Sequence, residues 1–335
     1  MNVQRWRARA GGFGAVAAWW LAVTLAWGIY SRTFAQDGSI MAAWVSNLTY
    51  WFFLPAYPLA MIAIGLGWWR VLALAGVVVM FHLMWVSPTL RGGSAHAEVQ
   101  GEGPELTVVS ANVRTDNPSP DKWLAELTSL DADVIMIQEY TPTWAARFRQ
   151  AGLFDKYPYS VEAPELGATG SAILSRLPLV TAESWNMDGT SNTRARLGDA
   201  WGGLELLNVH PVPPKPHADA QWENLIATVE QVQGPHLVAG DYNITQYNRW
   251  YDKLEDTGMQ SCHDALGESG NTTWPNGVYP VPPMRFDNFF VSDEVACISL
   301  REGRGSGSDH EPLIVHIALK KATTQDRVEL PAALP

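Results

Sequence analysis

Six short stretches set carboxylates, amides and imidazoles at the ends of apolar runs. Asn112 closes "VVSAN", Glu139 follows "DVIMIQ" and His210 closes "LELLNVH". Asp241 and Asn243 follow "HLVAG", Asp287 lies in "RFDNFF", and Asp309 and His310 precede "PLIVHIAL". In layered α/β proteins strand ends share one rim, where sites assemble. A strand running the other way contributes its start, which accommodates the final pair.

Gathered there, these residue types fit divalent-metal phosphoryl hydrolysis. Hard cations take oxygen ligands, and Glu139 and Asp309 supply anionic oxygen without a cysteine or triple-histidine set. Asp241 and Asn243 flank a position for water and phosphate oxygens. Asp287 is placed to orient His310 through its second ring nitrogen, and His210 to hydrogen-bond a phosphate or departing oxygen. A Ser308–His310–Asp309 relay is the rival assignment. It is discounted because adjacent residues do not readily form a relay and no strand–Ser–helix elbow is present.

Taken singly, each stretch has a plainer reading. "QE" after a strand is a common surface step, "GDYN" is a turn with Asn in the left-handed region, and His210 before Pro211 could simply end a strand. "SDHEP" is the most specific. His316 reads as a packed or satisfied histidine and His82 as facing a helix bundle; His217 and His263 are unassigned.

The elements that must position these residues follow from patterning. Strands are expected at 106–111, 133–139, 171–176, 204–210, 236–240, 285–292, 295–300 and 312–319, with helices over 118–130, 142–151, 218–233 and about 246–257. Strands mixed with helices across tight turns argue for α/β layers. Cys262 and Cys297 are the only cysteines. An even pair in an oxidising compartment reads as a disulfide, with two buried thiols as the alternative.

The N-terminal part has a different character. Runs 13–30, 50–69 and 71–86 are apolar, uncharged and close to the length needed to cross a bilayer. Trp19, Trp20, Trp51, Trp68, Trp69 and Trp85 lie mostly near their ends, as interfacial aromatics do. Pro55 and Pro58 are expected to kink the second run. A buried helical bundle is the alternative to three spans. Arg5, Arg7, Arg9 and Arg70 place the N-terminus and the second turn inside by the positive-inside rule, so residue 88 onward emerges outside. A signal peptide ending near "TFA", or cleavage at "AHA" (95–97), would still leave the later domain external.

The division expected is a cytoplasmic tail (1–12), three transmembrane helices (13–87), a Gly/Pro/Ser linker (88–104), an external catalytic domain (105–319) and a terminal tail (320–335). Residues 1–97 hold six arginines against one acid, Asp37; the rest holds 17 basic and 33 acidic residues, a net charge of −16. That field repels polyanions, so bulk nucleic-acid binding is disfavoured.

In order, "VVSANV", "DVIMIQE", "SAILSR", "LNVHPVPP", "VAGDYN", "RFDNFFVS" and "GSDHEP" resemble the endonuclease/exonuclease/phosphatase superfamily over about residues 105–319. The resemblance implies a four-layer α/β/β/α sandwich, one or two Mg²⁺ or Mn²⁺ ions, and phosphoester hydrolysis by directly activated water. By position it implies metal binding by Glu139 and Asp309, with Asn112 orienting that site. Asp241 would position or deprotonate water, Asn243 stabilise the phosphoryl group, Asp287–His310 form a supporting dyad, and His210 contact the phosphate. The chain departs from the pattern at Tyr242, where Phe is frequent, and at Asn288, where an aromatic is usual. His210 lacks an evident acidic partner. The three spans resemble bacterial membrane-anchored members of the teicoplanin-resistance type. A tethered hydrolase of a lipid head group, whether phospholipid, glycophospholipid or polyprenyl pyrophosphate, is the leading expectation. A membrane-displayed nuclease comes second and a non-catalytic binding module third.

Overall fold

Two six-stranded sheets face each other in the computed structural model, which describes residues 3–35, 37–91, 103–215 and 218–320. The strands are β1 (Glu105–Asn112), β2 (Val134–Gln138), β3 (Tyr159–Ala163), β4 (Ser171–Ser175), β5 (Leu179–Met187), β6 (Thr190–Leu197), β7 (Glu205–Val209), β8 (His236–Asp241), β9 (Gln260–Ser261), β10 (Asp287–Val291), β11 (Val295–Glu302) and β12 (Leu313–Leu319). One sheet has the order β11-β12-β1-β2-β4-β3 and the other β5-β6-β7-β8-β10-β9.

Alternate side chains of each central strand enter different layers. Val108, Met136, Leu206, Leu237 and Phe289 fill the space between the sheets. Val109, Ile135 and Ile137 face outward onto Trp123, Trp144 and Phe148. Leu207, Val238 and Phe290 face the other way onto Trp222, Leu225 and Trp250. Those outer aromatics come from helices: α6 (Pro120–Ser129) and α7 (Pro142–Gln150) on one side, α9 (Ala218–Glu230) and α10 (Arg249–Asp256) on the other. The expected four-layer α/β/β/α sandwich is therefore what forms. Two short helices complete the domain, α8 (Leu153–Lys156) and α11 (Cys262–Leu266). A Cys262–Cys297 disulfide ties α11 to β11.

Ahead of the sandwich come α1 (Val3–Tyr30), α2 (Ile40–Asn47), α3 (Thr49–Phe52), α4 (Ala56–Leu66) and α5 (Trp69–Arg91). Segments 14–35, 49–66 and 69–90 are long and apolar enough to cross a membrane. Their inner faces meet through Ala22, Leu25, Phe53, Ala63, Ala75 and Val78, while Trp20, Met61 and Trp69 point outward.

Several boundaries differ from expectation. The second apolar run breaks between α3 and α4, where Pro55 caps α4 and cannot supply an amide to a continuous helix. Helix α5 carries Pro88 and continues to Arg91, into the expected linker; the linker from 92 to 102 and the tail from 321 lie outside the described residues. The hairpin β5–β6 and the short α2 are additions. His82 packs within the bundle with Nδ1 3.0 Å from the Tyr57 hydroxyl. His316 Nε2 pairs with Glu105 at 3.3 Å, and His217 lies outside the described residues.

Candidate active site

Sheet register creates the rim. β1 and β2 are parallel, with Asn112 opposite Gln138, so Glu139 emerges beside the end of β1. β12 is antiparallel to β1, with Leu313 opposite Ser110, so its start and the preceding Asp309–His310 reach the same edge. In the other sheet β7 and β8 are parallel, and β10 is antiparallel to β8 with Asp287 opposite Asp241. His210, Asp241 and Asp287 thus share the second sheet's edge.

Local backbone turns aim the side chains. Glu139 and Asn243 adopt left-handed φ of 58° and 54°, uncommon for residues with a Cβ and imposed here by their surroundings. Gly240 has φ 154°, and a Cβ there would lie 1.9 Å from the Val209 carbonyl oxygen. Only glycine lets β8 approach β7 so closely just before Asp241.

Seven of the eight expected residues form one connected polar assembly, while the Asp309 side chain is held apart from it by Trp274 and Arg114. Asn112 Nδ2 donates to Glu139 Oε1 at 3.1 Å and to Asp241 Oδ2 at 3.0 Å, while its Oδ1 accepts the Arg114 N–H at 2.9 Å. The amide therefore turns its donor toward the two carboxylates. Asp241 Oδ1 accepts the Asn243 N–H at 2.9 Å. His210 Nε2 and His310 Nε2 stand 3.3 and 3.4 Å from Asp241 Oδ2, so Asp241 is the acidic partner of His210 that the sequence did not reveal. His310 Nδ1 meets Asp287 Oδ2 at 2.8 Å.

Burial alone would raise the Asp241 pKa, but the charge of His310 and the hydrogen bond from His210 outweigh it and hold the carboxyl below its usual range. Burial likewise opposes charge on His310, yet Asp287 and Asp241 on its two sides raise its pKa. Asp287 is itself pushed up by desolvation, partly relieved by His310. For His210, Asp241 overcomes desolvation and raises the pKa.

Residues outside the expected set complete the site. Thr115 donates its N–H and hydroxyl to Glu139 Oε2, both at 2.7 Å. Trp274 Nε1 donates to Asp309 Oδ2 at 3.3 Å, and Arg114 Nε lies 4.0 Å from Asp309 Oδ1. Arg114 follows Asn112 by two positions, the one signal in sequence for any of them. Behind the rim, Gln138 donates to Asn208 at 2.7 Å and Asn208 donates to the Ile137 and Ala172 carbonyls, both at 2.9 Å, tying one sheet to the other. Ser308 is no nucleophile in this arrangement, since its hydroxyl donates to the Asn112 carbonyl at 2.8 Å.

Among the described residues, one cluster of three brings its ligand atoms close enough to hold a metal ion. Asp241, Asp287 and His310 bring ligand atoms within 4.8 Å of one another. Glu139 and Asp309 bring carboxylate oxygens that retain free acceptor capacity, a donor set suited to a hard cation.

Residues 109–310 match the Endonuclease/Exonuclease/phosphatase family. The chain belongs to this family. Solved structures share the fold: an endonuclease/exonuclease/phosphatase from Bacteroides vulgatus superposes with a TM-score of 0.54 at 16% identity, covering 65% of this chain and 100% of that one. Humanized D. rerio TDP2 gives 0.53 at 17% identity, with 64% and 98% covered. The 3′ phosphatase NExo from Neisseria, bound to a product DNA hairpin, gives 0.54 at 16% identity, with 63% and 98% covered. No curated protein matches the chain by sequence. These family structures cover about two thirds of the chain, which corresponds to the length of the sandwich.

Proposed function

We propose that this family member is a membrane-tethered, extracytoplasmic, divalent-metal-dependent hydrolase of a phosphoester in a lipid head group. One observation carries the lipid reading. A cavity of about 300 Å³ is walled jointly by Tyr50, Trp51 and Leu90 of the apolar helices and by Thr245, Tyr247 and Met284 of the sandwich. Thr245 lies two residues past Asn243, and Met284 three before Asp287. A lipid travelling along the helices meets the site at this seam, and the acidic domain suits it better than a long polyanion.

Glu139 and Asp309 hold the cation in this reading, because both ring nitrogens of His310 are already turned to carboxylates. When bound, it supplies charge neutralisation at the phosphoryl oxygens. Asp241, kept ionised by two imidazoles, orients the attacking water and takes up its proton. Asn243 retains one amide hydrogen for a phosphoryl oxygen, its other contact being the Pro211 carbonyl at 3.0 Å. His210 and His310 add positive charge beside the developing oxyanion.

A membrane-displayed nuclease is the second reading, favoured by the DNA-bound Neisseria relative. The deciding experiment presents the purified full-length protein with detergent-dispersed phospholipids, glycophospholipids and polyprenyl pyrophosphate, and separately with plasmid DNA, in Mg²⁺ and in EDTA. Metal-dependent head-group or phosphate release supports the lipid hydrolase. Cleavage of DNA alone transfers the assignment to a nuclease, and no cleavage of either removes both.

A further inference from the structure

The loop that leaves β8 carries Asn243 and then runs to α10 along the end of the N-terminal helices. Its polar groups are bonded to those helices at successive points. Asn47 Nδ2 donates to the Asn243 carbonyl at 3.2 Å, and Asn47 Oδ1 accepts the Thr245 N–H at 3.2 Å. The Thr245 hydroxyl donates to the Asn47 carbonyl at 3.2 Å. Arg32 Nη1 donates to the Tyr247 carbonyl at 2.6 Å, and Asp37 Oδ2 accepts the Arg249 N–H at 2.7 Å. Thr89 at the end of α5 meets the Tyr247 hydroxyl at 3.2 Å.

The contact is buried at its centre: Asn47 and Asn248 are each 1% exposed and Thr245 2%. Side-chain amides buried without partners are costly, so a buried Asn that satisfies three loop groups with its side chain and carbonyl has a defined place. Asn243 sits at positive φ, and Asn47 is one of the neighbours that hold its backbone there. Asn47 grips the Asn243 carbonyl, while the Asn243 N–H is what holds Asp241 Oδ1.

We infer that the end of the helical bundle is a working part of the active site, with Asn47 as the positioning residue that fixes Asn243 and, through it, Asp241. The helices are thus more than an anchor, and an unrelated membrane segment does not replace them. The kinetic part of this inference rests on the phosphoesterase reading above; the structural part does not.

The test uses full-length protein in detergent or nanodiscs and two measurements on Asn47→Ala. Hydrogen exchange of the 243–249 segment should rise while the central strands keep their protection. Turnover should fall by about 10- to 100-fold in kcat, the scale of an ångström-level misplacement, with KM changed less than about threefold. Asn47→Asp keeps an acceptor for the Thr245 N–H but loses the donor to Asn243, so it should lower kcat with a smaller rise in exchange. If Asn47→Ala does not fold, Asn47→Asp, which loses the side-chain donor to the Asn243 carbonyl, carries the test, and Thr245→Val, which loses the hydroxyl bond to the Asn47 carbonyl, should also raise exchange over 243–249. Unchanged exchange at 243–249, or raised exchange with wild-type kcat, overturns the inference. If the wild type turns over none of the substrates offered, the proposed function fails, and the exchange measurement alone decides whether Asn47 holds the loop.

Discussion

Asp287 accepts a hydrogen bond from His310 at 2.8 Å, although the two residues stand at the edges of different sheets. The bond closes the rim across the sandwich and fixes the ring so that Nε2 faces Asp241. Replacing the carboxylate removes one of the two anions that keep the ring charged, and with it positive charge beside the phosphoryl group. Asp287→Asn should therefore lower kcat by about 10²- to 10⁴-fold. The thermal transition should stay close to that of the wild type, because Asn is isosteric. Wild-type turnover in this variant would remove the dyad from the mechanism.

Glu139 and Asp309 carry the metal prediction. Chelation with EDTA should abolish hydrolysis, and excess Mg²⁺ should restore it. Glu139→Ala and His310→Ala should each abolish turnover with the fold intact. Asp309→Asn should raise the Mg²⁺ concentration needed for half-maximal rate by at least about tenfold, since a hard cation loses an anionic ligand. A magnesium-dependence curve for Asp309→Asn and turnover assays of the two alanine variants check this, and activity retained by both alanine variants would sink the site assignment.

Much of this site was legible because its residues end apolar runs, and strand ends are where a layered sheet exposes side chains. The two parallel pairs, β1–β2 and β7–β8, bring Asn112, Glu139, His210 and Asp241 together with little further information. The hairpin β5–β6 was not legible: "LVTAESWNM" and "TSNTRARL" alternate polar and charged residues at a sheet edge, without the apolar run that marks a buried strand. Asn47 was unreadable for a different reason. It meets Asn243 across 196 residues, and nothing in its neighbourhood of "VSNLTY" distinguishes it from an ordinary polar residue ending a helix. Trp274 and Glu126 belong to the same class, their roles arising only when distant loops pack.

Glu126 on α6 holds the loop that leads into Asp309 and His310. Its Oε1 accepts the Arg304 and Gly305 N–H groups at 2.6 and 3.1 Å, and its Oε2 accepts the Ser306 N–H and hydroxyl at 3.0 and 2.6 Å. Burial pushes this carboxyl's pKa up, but the bonds from Ser306, Arg304 and Gly305 outweigh it and leave the pKa below its usual value. A depressed folded-state pKa gives stability that is present above the unfolded pKa and lost as pH falls through the folded one. Glu126→Gln should cost about 1–2 kcal/mol at pH 7, a figure discounted for partial exposure. The gap should begin to narrow as pH drops below about 4.5, where the unfolded carboxyl takes up a proton, and close as pH falls through the lower folded pKa. Denaturation midpoints across pH test the sign, and a gap that widens on acidification refutes it.

The Cys262–Cys297 bond closes a separation of 35 residues and joins α11 to β11 beneath the inter-sheet core. Loop-closure entropy for a loop of that length is worth about 4 kcal/mol as an upper figure. Both sulfurs sit in well-buried residues, so reduction of the folded protein should be slow, whereas Cys262→Ser/Cys297→Ser protein should unfold at a clearly lower temperature. The rim residues lie on strands other than β11, so hydrolysis by the double variant below its transition should stay within about threefold of wild type. Calorimetry with and without reductant separates the two effects. An unshifted transition in the double variant would mean that the core, and not the covalent link, holds α11 in place.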